Sequence, residues 1–75
     1  MSEMITLLLA WKLAEKFGED QAAAVRKCAN NLYDQVPEGD VKTFFGLVRN
    51  KDNSDFKVVE AVRSSYVGMR LSGVL

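Results

Sequence analysis

Apolar and polar residues repeat along the chain at the spacing of helices. The first helix is predicted at residues 3–17 and is followed by Gly18, a residue suited to the left-handed position that ends many helices. The second helix is predicted at residues 21–36, with Glu19 or Asp20 as its N-cap. Its inward positions are Ala22, Val25, Ala29, Leu32 and Val36, and its outward positions are Arg26, Lys27, Asn30, Asn31 and Asp34. This second helix has the clearest amphipathic pattern of the chain.

The single proline, Pro37, separates these two helices from two more. A short third helix is predicted at residues 41–50, and a polar, exposed loop follows it. The fourth helix is predicted at residues 56–66, after an N-cap at Ser54 or Asp55. The sequence therefore predicts an all-α protein, a small bundle of about four helices in which residues 1–75 form a single helical domain.

The C-terminal segment, residues 67–75, fits two structures. Val67, Met69 and Leu71 alternate with small or polar residues, and this period of two is typical of a strand. Valine, being β-branched, also lowers helix propensity here. A strand would have no partner within the chain, although it could pair with its own copy in a dimer. The alternative fold class is therefore α+β, with a C-terminal strand pairing across a dimer.

The first helix carries more apolar surface than one small core requires. Its second half has polar residues on one side (Lys12, Glu15, Lys16 and Glu19) and apolar residues on the other (Leu7, Ala10, Leu13, Ala14 and Phe17). In the first two turns the polar side is continued by apolar residues, and a helix apolar on all sides is normally buried on all sides. We expect an interface formed by Ile5, Leu8, Leu9 and Trp11. The alternative is that this helix is simply the central helix of the bundle.

Length and charge favour association with another protein. A chain of 75 residues buries only about 60% of the surface that its unfolded form exposes, so a partner would add stability. Its 10 basic and 10 acidic side chains cancel, whereas proteins that bind nucleic acid usually have a basic excess. We therefore predict a protein partner and a homodimer. Nucleic-acid binding is the less favoured alternative.

Histidine is absent and there is one cysteine, Cys28, so the sequence offers no disulfide, no zinc ligand set and no ordinary catalytic triad. Cys28 lies on the apolar side of the second helix, where a thiol acts as a small hydrophobic group. A free thiol fits a reducing compartment, which predicts a cytoplasmic protein. We expect no enzymatic activity, no catalytic residue, no metal and no cofactor.

The apolar run near the N-terminus indicates neither an export signal nor a membrane anchor. The first four residues, Met1 to Met4, include the acid Glu3 and no basic residue, whereas a secretory signal needs a positive start. Lys12 ends the run well short of the about 20 apolar residues that a membrane span needs. No membrane association is predicted.

The third and fourth helices could alternatively form a DNA-binding helix-turn-helix. Lys57, Arg63 and Arg70 would lie on the outer side of the fourth helix. However, the connecting loop is longer than the usual turn, and Glu60 lies within the same surface. The sequence therefore predicts a small protein-interaction module, acting as a regulator, inhibitor or assembly adaptor, with DNA binding as the alternative.

Overall fold

A computed structural model describes residues 2–75 and confirms the all-α class. Four α-helices and one short 3-10 helix occur in this range: α1 (Ser2–Lys16), α2 (Gln21–Leu32), the 3-10 helix (Tyr33–Gln35), α3 (Asp40–Arg49) and α4 (Asp55–Leu71). No strand occurs within the described residues. The helices form a small bundle, and their boundaries lie close to those that the sequence predicts.

The end of α1 and the start of α2 form as the sequence predicts. Gly18 adopts a φ of 68°, and the amide of Glu19 donates to the carbonyl of Ala14 at 2.8 Å. This arrangement pairs carbonyls that the end of a helix would otherwise leave free. The carboxylate of Asp20 accepts a hydrogen bond from the amide of Ala23 at 3.1 Å, which caps α2. The connection between the two helices is therefore short and well bonded.

The last turn of the predicted second helix is a 3-10 helix, so the α-helix ends earlier than the sequence predicts. Val36 leaves the helix with a φ of −82° and a ψ of 126°, an extended conformation. Pro37 explains this conformation, because a proline ring clashes with a helical residue before it. The side chain of Val36 is buried and joins the core.

The C-terminal segment continues α4 as far as Leu71, so the α+β alternative is wrong. Gly73 takes a φ of 81°, and the amide of Val74 donates to the carbonyl of Met69 at 2.9 Å. Helical hydrogen bonds pair the backbone of this segment within the chain, whereas a lone strand would leave it unpaired. Tyr66 and Met69 also pack against the core from this part of α4.

Residues of all four helices share one hydrophobic core. Its buried helical members are Met4, Leu7, Leu8 and Trp11 of α1, Val25 and Ala29 of α2, Phe45 and Val48 of α3, and Val58 and Val62 of α4. Val36, which follows the 3-10 helix, is also buried in this core. The rings of Trp11 and Tyr66 lie 5.3 Å apart in a tilted arrangement, which joins α1 to α4.

The buried face of α1 agrees with the predicted one only in part. Leu7 and Ala14 are buried as predicted, whereas Leu13 and Phe17, also predicted on the inner side, are 49% and 67% exposed. Leu8 and Trp11 are buried instead, so the buried face is displaced toward the Trp11 ring, which packs into the core. The ammonium of Lys12 then lies 5.1 Å from the centre of the Trp11 ring, at the edge of the core.

Candidate interaction surfaces

The four residues predicted as an interface lie in two environments. Leu8 and Trp11 are 4% and 5% exposed and belong to the core of the chain itself. Leu9 is 55% exposed, and Ile5 is half-buried. The bundle core therefore accounts for Leu8 and Trp11, and only Leu9 and part of Ile5 face outward. The indole N–H of Trp11 has no acceptor among the described residues, so ring packing is what holds this side chain in place.

The outer face of α1 and the turn directly after it carry three exposed apolar side chains. Leu9 and Leu13 of α1 are 55% and 49% exposed, and Phe17 in the turn is 67% exposed. The amide of Phe17 donates to the carbonyl of Leu13 at 3.0 Å, so Phe17 continues the helical spacing. Residues four apart lie on the same side of a helix, so the three form a continuous apolar line, which we call the α1 stripe. Leu9 is the one residue that the stripe shares with the predicted interface. The surplus of apolar residues in the first helix is visible in the sequence, but the sequence does not show which side of the helix stays exposed.

Charged groups lie beside the α1 stripe on one side. Lys12 and Lys16 come three positions after Leu9 and Leu13 and are both exposed, and Lys12 pairs with Glu15 at 3.6 Å on the side away from the stripe. An apolar centre with a charged rim is the usual composition of a protein interface. The stripe can therefore make apolar contacts with another protein while its rim stays hydrated.

A groove lined by basic residues lies between α2, the end of α3 and the loop that follows. Two adjoining depressions form it, and both are lined by Asn30, Arg49 and Lys51. Arg26 and Lys27 line one of them, and Tyr33 lines the other. No acidic side chain lines either depression. We call this feature the basic groove.

Arg26 joins three segments of the chain at one edge of the basic groove. Its guanidinium donates to the carbonyls of Val48 at 3.1 Å, Asn50 at 2.9 Å and Asn53 at 2.6 Å. It also donates to a carboxylate oxygen of Asp55, with the closer nitrogen at 3.0 Å. Sequence reasoning placed Arg26 on the solvent side of α2, whereas its side chain is only 19% exposed. The partners lie more than 20 positions away in the chain, as the 22-residue separation from Val48 shows, so no local pattern identifies them.

Two cations flank the ring of Tyr33 at the other end of the basic groove. The ammonium of Lys42 lies 4.7 Å from the ring centre, and the guanidinium carbon of Arg49 lies 4.4 Å from it. Gly46 lies against the edge of the same ring. Contacts of this kind hold a cation near an aromatic face and restrict its movement. The head group of Arg49 is therefore held in position before any partner binds.

The outer face of α4, which the DNA-binding alternative requires, is mostly apolar or ion-paired. Phe56 and Leu71 are 77% and 85% exposed. Between them, the guanidinium of Arg63 pairs with the carboxylate of Glu60 at 2.9 Å. That hydrogen bond lowers the pKa of Glu60. Three of the predicted bases, Lys57, Arg63 and Arg70, therefore share this face with apolar side chains and a paired acid.

An open apolar groove of about 450 Å³ lies between the start of α1, α3 and the end of α4. Met4, Val41, Phe44 and Met69 line it, together with Val74 beyond the end of α4. These side chains belong to the core or to its margin, so the groove is the open edge of the core.

The thiol of Cys28 is half-buried on α2. Burial raises the pKa of Cys28, because it disfavours the charged thiolate. A nucleophilic cysteine needs the opposite shift. Within residues 2–75, no group of three or more histidine, cysteine or acidic residues is arranged to hold a metal ion.

The chain belongs to the family described as domain of unknown function DUF7740, whose model matches residues 2–66. The match extends from the start of α1 into the last turns of α4. Comparison with curated proteins finds no match, and comparison with solved structures finds none either. None of the described helices is long and apolar enough to cross a membrane.

Proposed function

We propose that this chain is a small, non-enzymatic protein-interaction module that acts as a regulator, inhibitor or assembly adaptor. The observation that carries this proposal is the α1 stripe, in which Leu9, Leu13 and Phe17 are each about half exposed or more, at 55%, 49% and 67%. Contiguous apolar side chains on the surface of a small protein are typical of a binding site. The chain already has a core to which all four helices contribute, so the stripe is not needed to complete that core.

The area of the α1 stripe limits what it can bind by itself. The exposed fractions of its three side chains correspond to an apolar area on the order of 300 Å². A stable protein interface buries about 800 Å² on each partner. The partner therefore contacts more of this protein than the stripe, and the exposed Lys12 and Lys16 beside it offer additional surface.

A second copy of the chain is one partner that fits the stripe. When two copies of α1 pack antiparallel about a two-fold axis at Leu13, Leu13 faces its own copy and Leu9 faces Phe17. Such an interface is self-complementary, as in most homodimers. Because the stripe is small, the homodimer is weak and its population rises with protein concentration.

The single cysteine, Cys28, bears on both the chemistry and the cellular location that we propose. Burial raises the pKa of the Cys28 thiol, which disfavours its use as a nucleophile and supports a non-enzymatic role. A single free cysteine supports a reducing compartment, and we propose the cytoplasm.

The outer face of α4 makes DNA binding the less favoured alternative. The face that would enter the groove of DNA carries the exposed Phe56 and the Glu60–Arg63 ion pair.

A charge placed in the centre of the stripe tests this proposal. Leu13→Glu should leave the helix content unchanged by circular dichroism, because the side chain is already 49% exposed. It should abolish self-association in sedimentation experiments and reduce the amount of co-purifying protein in affinity capture from the native cell. Leu71→Glu is the matched control, since Leu71 is an 85% exposed leucine outside the stripe. If both variants behave like the wild type in both assays, the stripe is not the binding surface.

A further inference from the structure

The basic groove contains cations that lack acidic partners. Ion pairs join Arg26 to Asp55 and Lys42 to Glu38. Among the described residues, Lys27, Arg49 and Lys51 have no acidic group within ion-pair distance. Three uncompensated charges thus converge on one depression of a protein whose net charge is zero. The balance of the whole chain conceals this local excess.

Several carbonyl groups at the end of α3, beside the groove, are already paired. Arg26 donates to the carbonyls of Val48 and Asn50, and the side-chain amide of Asn53 donates to the carbonyl of Leu47 at 2.9 Å. Unpaired carbonyls at a helix C-terminus would repel an anion. Their pairing removes much of that repulsion, so an anionic group can approach Arg49 at the end of this helix.

Polar donors complete the lining of the groove. The side-chain oxygen of Asn50 accepts the amide of Asp52 at 2.9 Å, so the NH₂ group of Asn50 remains to donate. Asn30 lies on the α2 side of the same depression. Arginine presents a planar fork that suits a carboxylate, and the ring of Tyr33 restrains this one at 4.4 Å. The groove therefore combines charge with hydrogen-bond donors, which is the chemistry that recognises carboxylates.

We infer that the basic groove binds a short acidic segment of a protein partner, with carboxylates paired to Arg49, Lys27 and Lys51. This inference rests on the proposed function and adds a second contact surface to the α1 stripe. An acidic peptide fits better than nucleic acid because the positive surface is short. The depressions are lined by four basic residues, and exposed acids follow two of the groove residues in the chain, Asp34 after Tyr33 and Asp52 after Lys51, so the positive surface offers few contacts to a longer polyanion.

The experiment measures binding of a fluorescein-labelled hexaglutamate peptide to the full chain by fluorescence anisotropy at low salt. The test variant is Arg49→Gln/Lys51→Gln. The control is Lys57→Gln/Arg70→Gln, which removes the same charge from an exposed lysine and an exposed arginine outside the groove. Exposed ion pairs contribute about 0.2–1 kcal/mol each, so the test variant should weaken binding about twofold to thirtyfold. The control should change it less than about twofold, and added salt should weaken wild-type binding.

Three results would overturn the inference. The first is no binding of the peptide at low salt. The second is equal weakening by both double variants, which would mean a general electrostatic attraction and no defined groove. The third is tighter binding of a single-stranded oligonucleotide of equal charge, weakened by the same test variant, which would identify nucleic acid as the partner. Leu13→Glu should leave peptide binding unchanged, so failure here is separate from failure of the α1 stripe.

Discussion

Replacing Arg26 with alanine should destabilise the fold strongly, although the sequence pattern places this residue on the solvent side of α2. The guanidinium joins α2 to the end of α3, to the following loop and to the start of α4 through Val48, Asn50, Asn53 and Asp55. The side chain is 19% exposed, so water replaces these contacts only in part.

The magnitude follows from separating the ion pair from the carbonyl contacts. Asp55 is 72% exposed, so its pairing with Arg26 contributes only about 0.2–1 kcal/mol. Hydrogen bonds to a charged group contribute more when the acceptors are partly buried, as those of Val48 and Asn53 are. We expect Arg26→Ala to lower the free energy of unfolding by about 2–3 kcal/mol, and Asp55→Asn to lower it by less than about 1 kcal/mol.

Urea unfolding followed by circular dichroism measures both losses. A chain of this length has a total stability of roughly 4–11 kcal/mol, so the effect of Arg26→Ala should shift the midpoint visibly. Lys27→Ala is the neighbouring control on the same helix, and it should change stability by less than about 0.5 kcal/mol. The reasoning is refuted if Arg26→Ala costs no more than Asp55→Asn, because the carbonyl contacts would then contribute nothing.

Alanine should have opposite effects on stability at Gly46 and at Gly18, because Gly46 is helical and Gly18 has a positive φ. Gly46→Ala should raise the free energy of unfolding by about 0.5–1 kcal/mol in the same urea assay, since Gly46 lies within α3 and a Cβ there would meet Tyr33 at an ordinary 3.7 Å. Gly18→Ala should instead destabilise by about 1 kcal/mol, because Gly18 has a φ of 68°; equal effects of the two changes would disprove this account of the turn. Cys28 should react with iodoacetamide more slowly in the native protein than in urea at the same pH, because burial raises its pKa. Equal rates in the two conditions would mean that the thiol is not shielded.

The helices could be predicted from the sequence because their signals are local. Gly18, the N-caps at Asp20 and Ser54, and the spacing of apolar residues each depend on a few neighbouring positions. The extension of α4 through residues 67–71 was left open because a period of two competed with the helical pattern. Backbone hydrogen bonding decides it, and the turn at Gly73 completes it.

The orientation of α1 could not be predicted in the same way. One helical face contains Leu8 and Trp11, another contains Leu13 and Phe17, and both satisfy helical spacing. The choice depends on α4, where Tyr66 meets the Trp11 ring at 5.3 Å. Of the predicted interface, Leu9 is the residue left clearly exposed. The surplus of apolar surface was visible in the sequence, whereas the side that remains outside is a property of the tertiary structure.

The basic groove could not be predicted from the sequence for a related reason. Lys27 and Arg49 belong to different helices, and the sequence gives no measure of their separation in space. The pairing of Arg26 with distant carbonyls is equally invisible, since such contacts leave no periodic pattern. Both features depend on how α2 packs against α3, which local patterns do not encode.

The α1 stripe can be tested most directly by photo-crosslinking at its centre. A photoreactive p-benzoylphenylalanine at position 13 should give a covalent product with a protein in the native cell, either a second copy or another chain, that mass spectrometry identifies. The same group at position 71, which is also exposed but outside the stripe, should give no such product. Crosslinking from position 71 and not from position 13 would contradict the central claim that this protein binds its partner through α1.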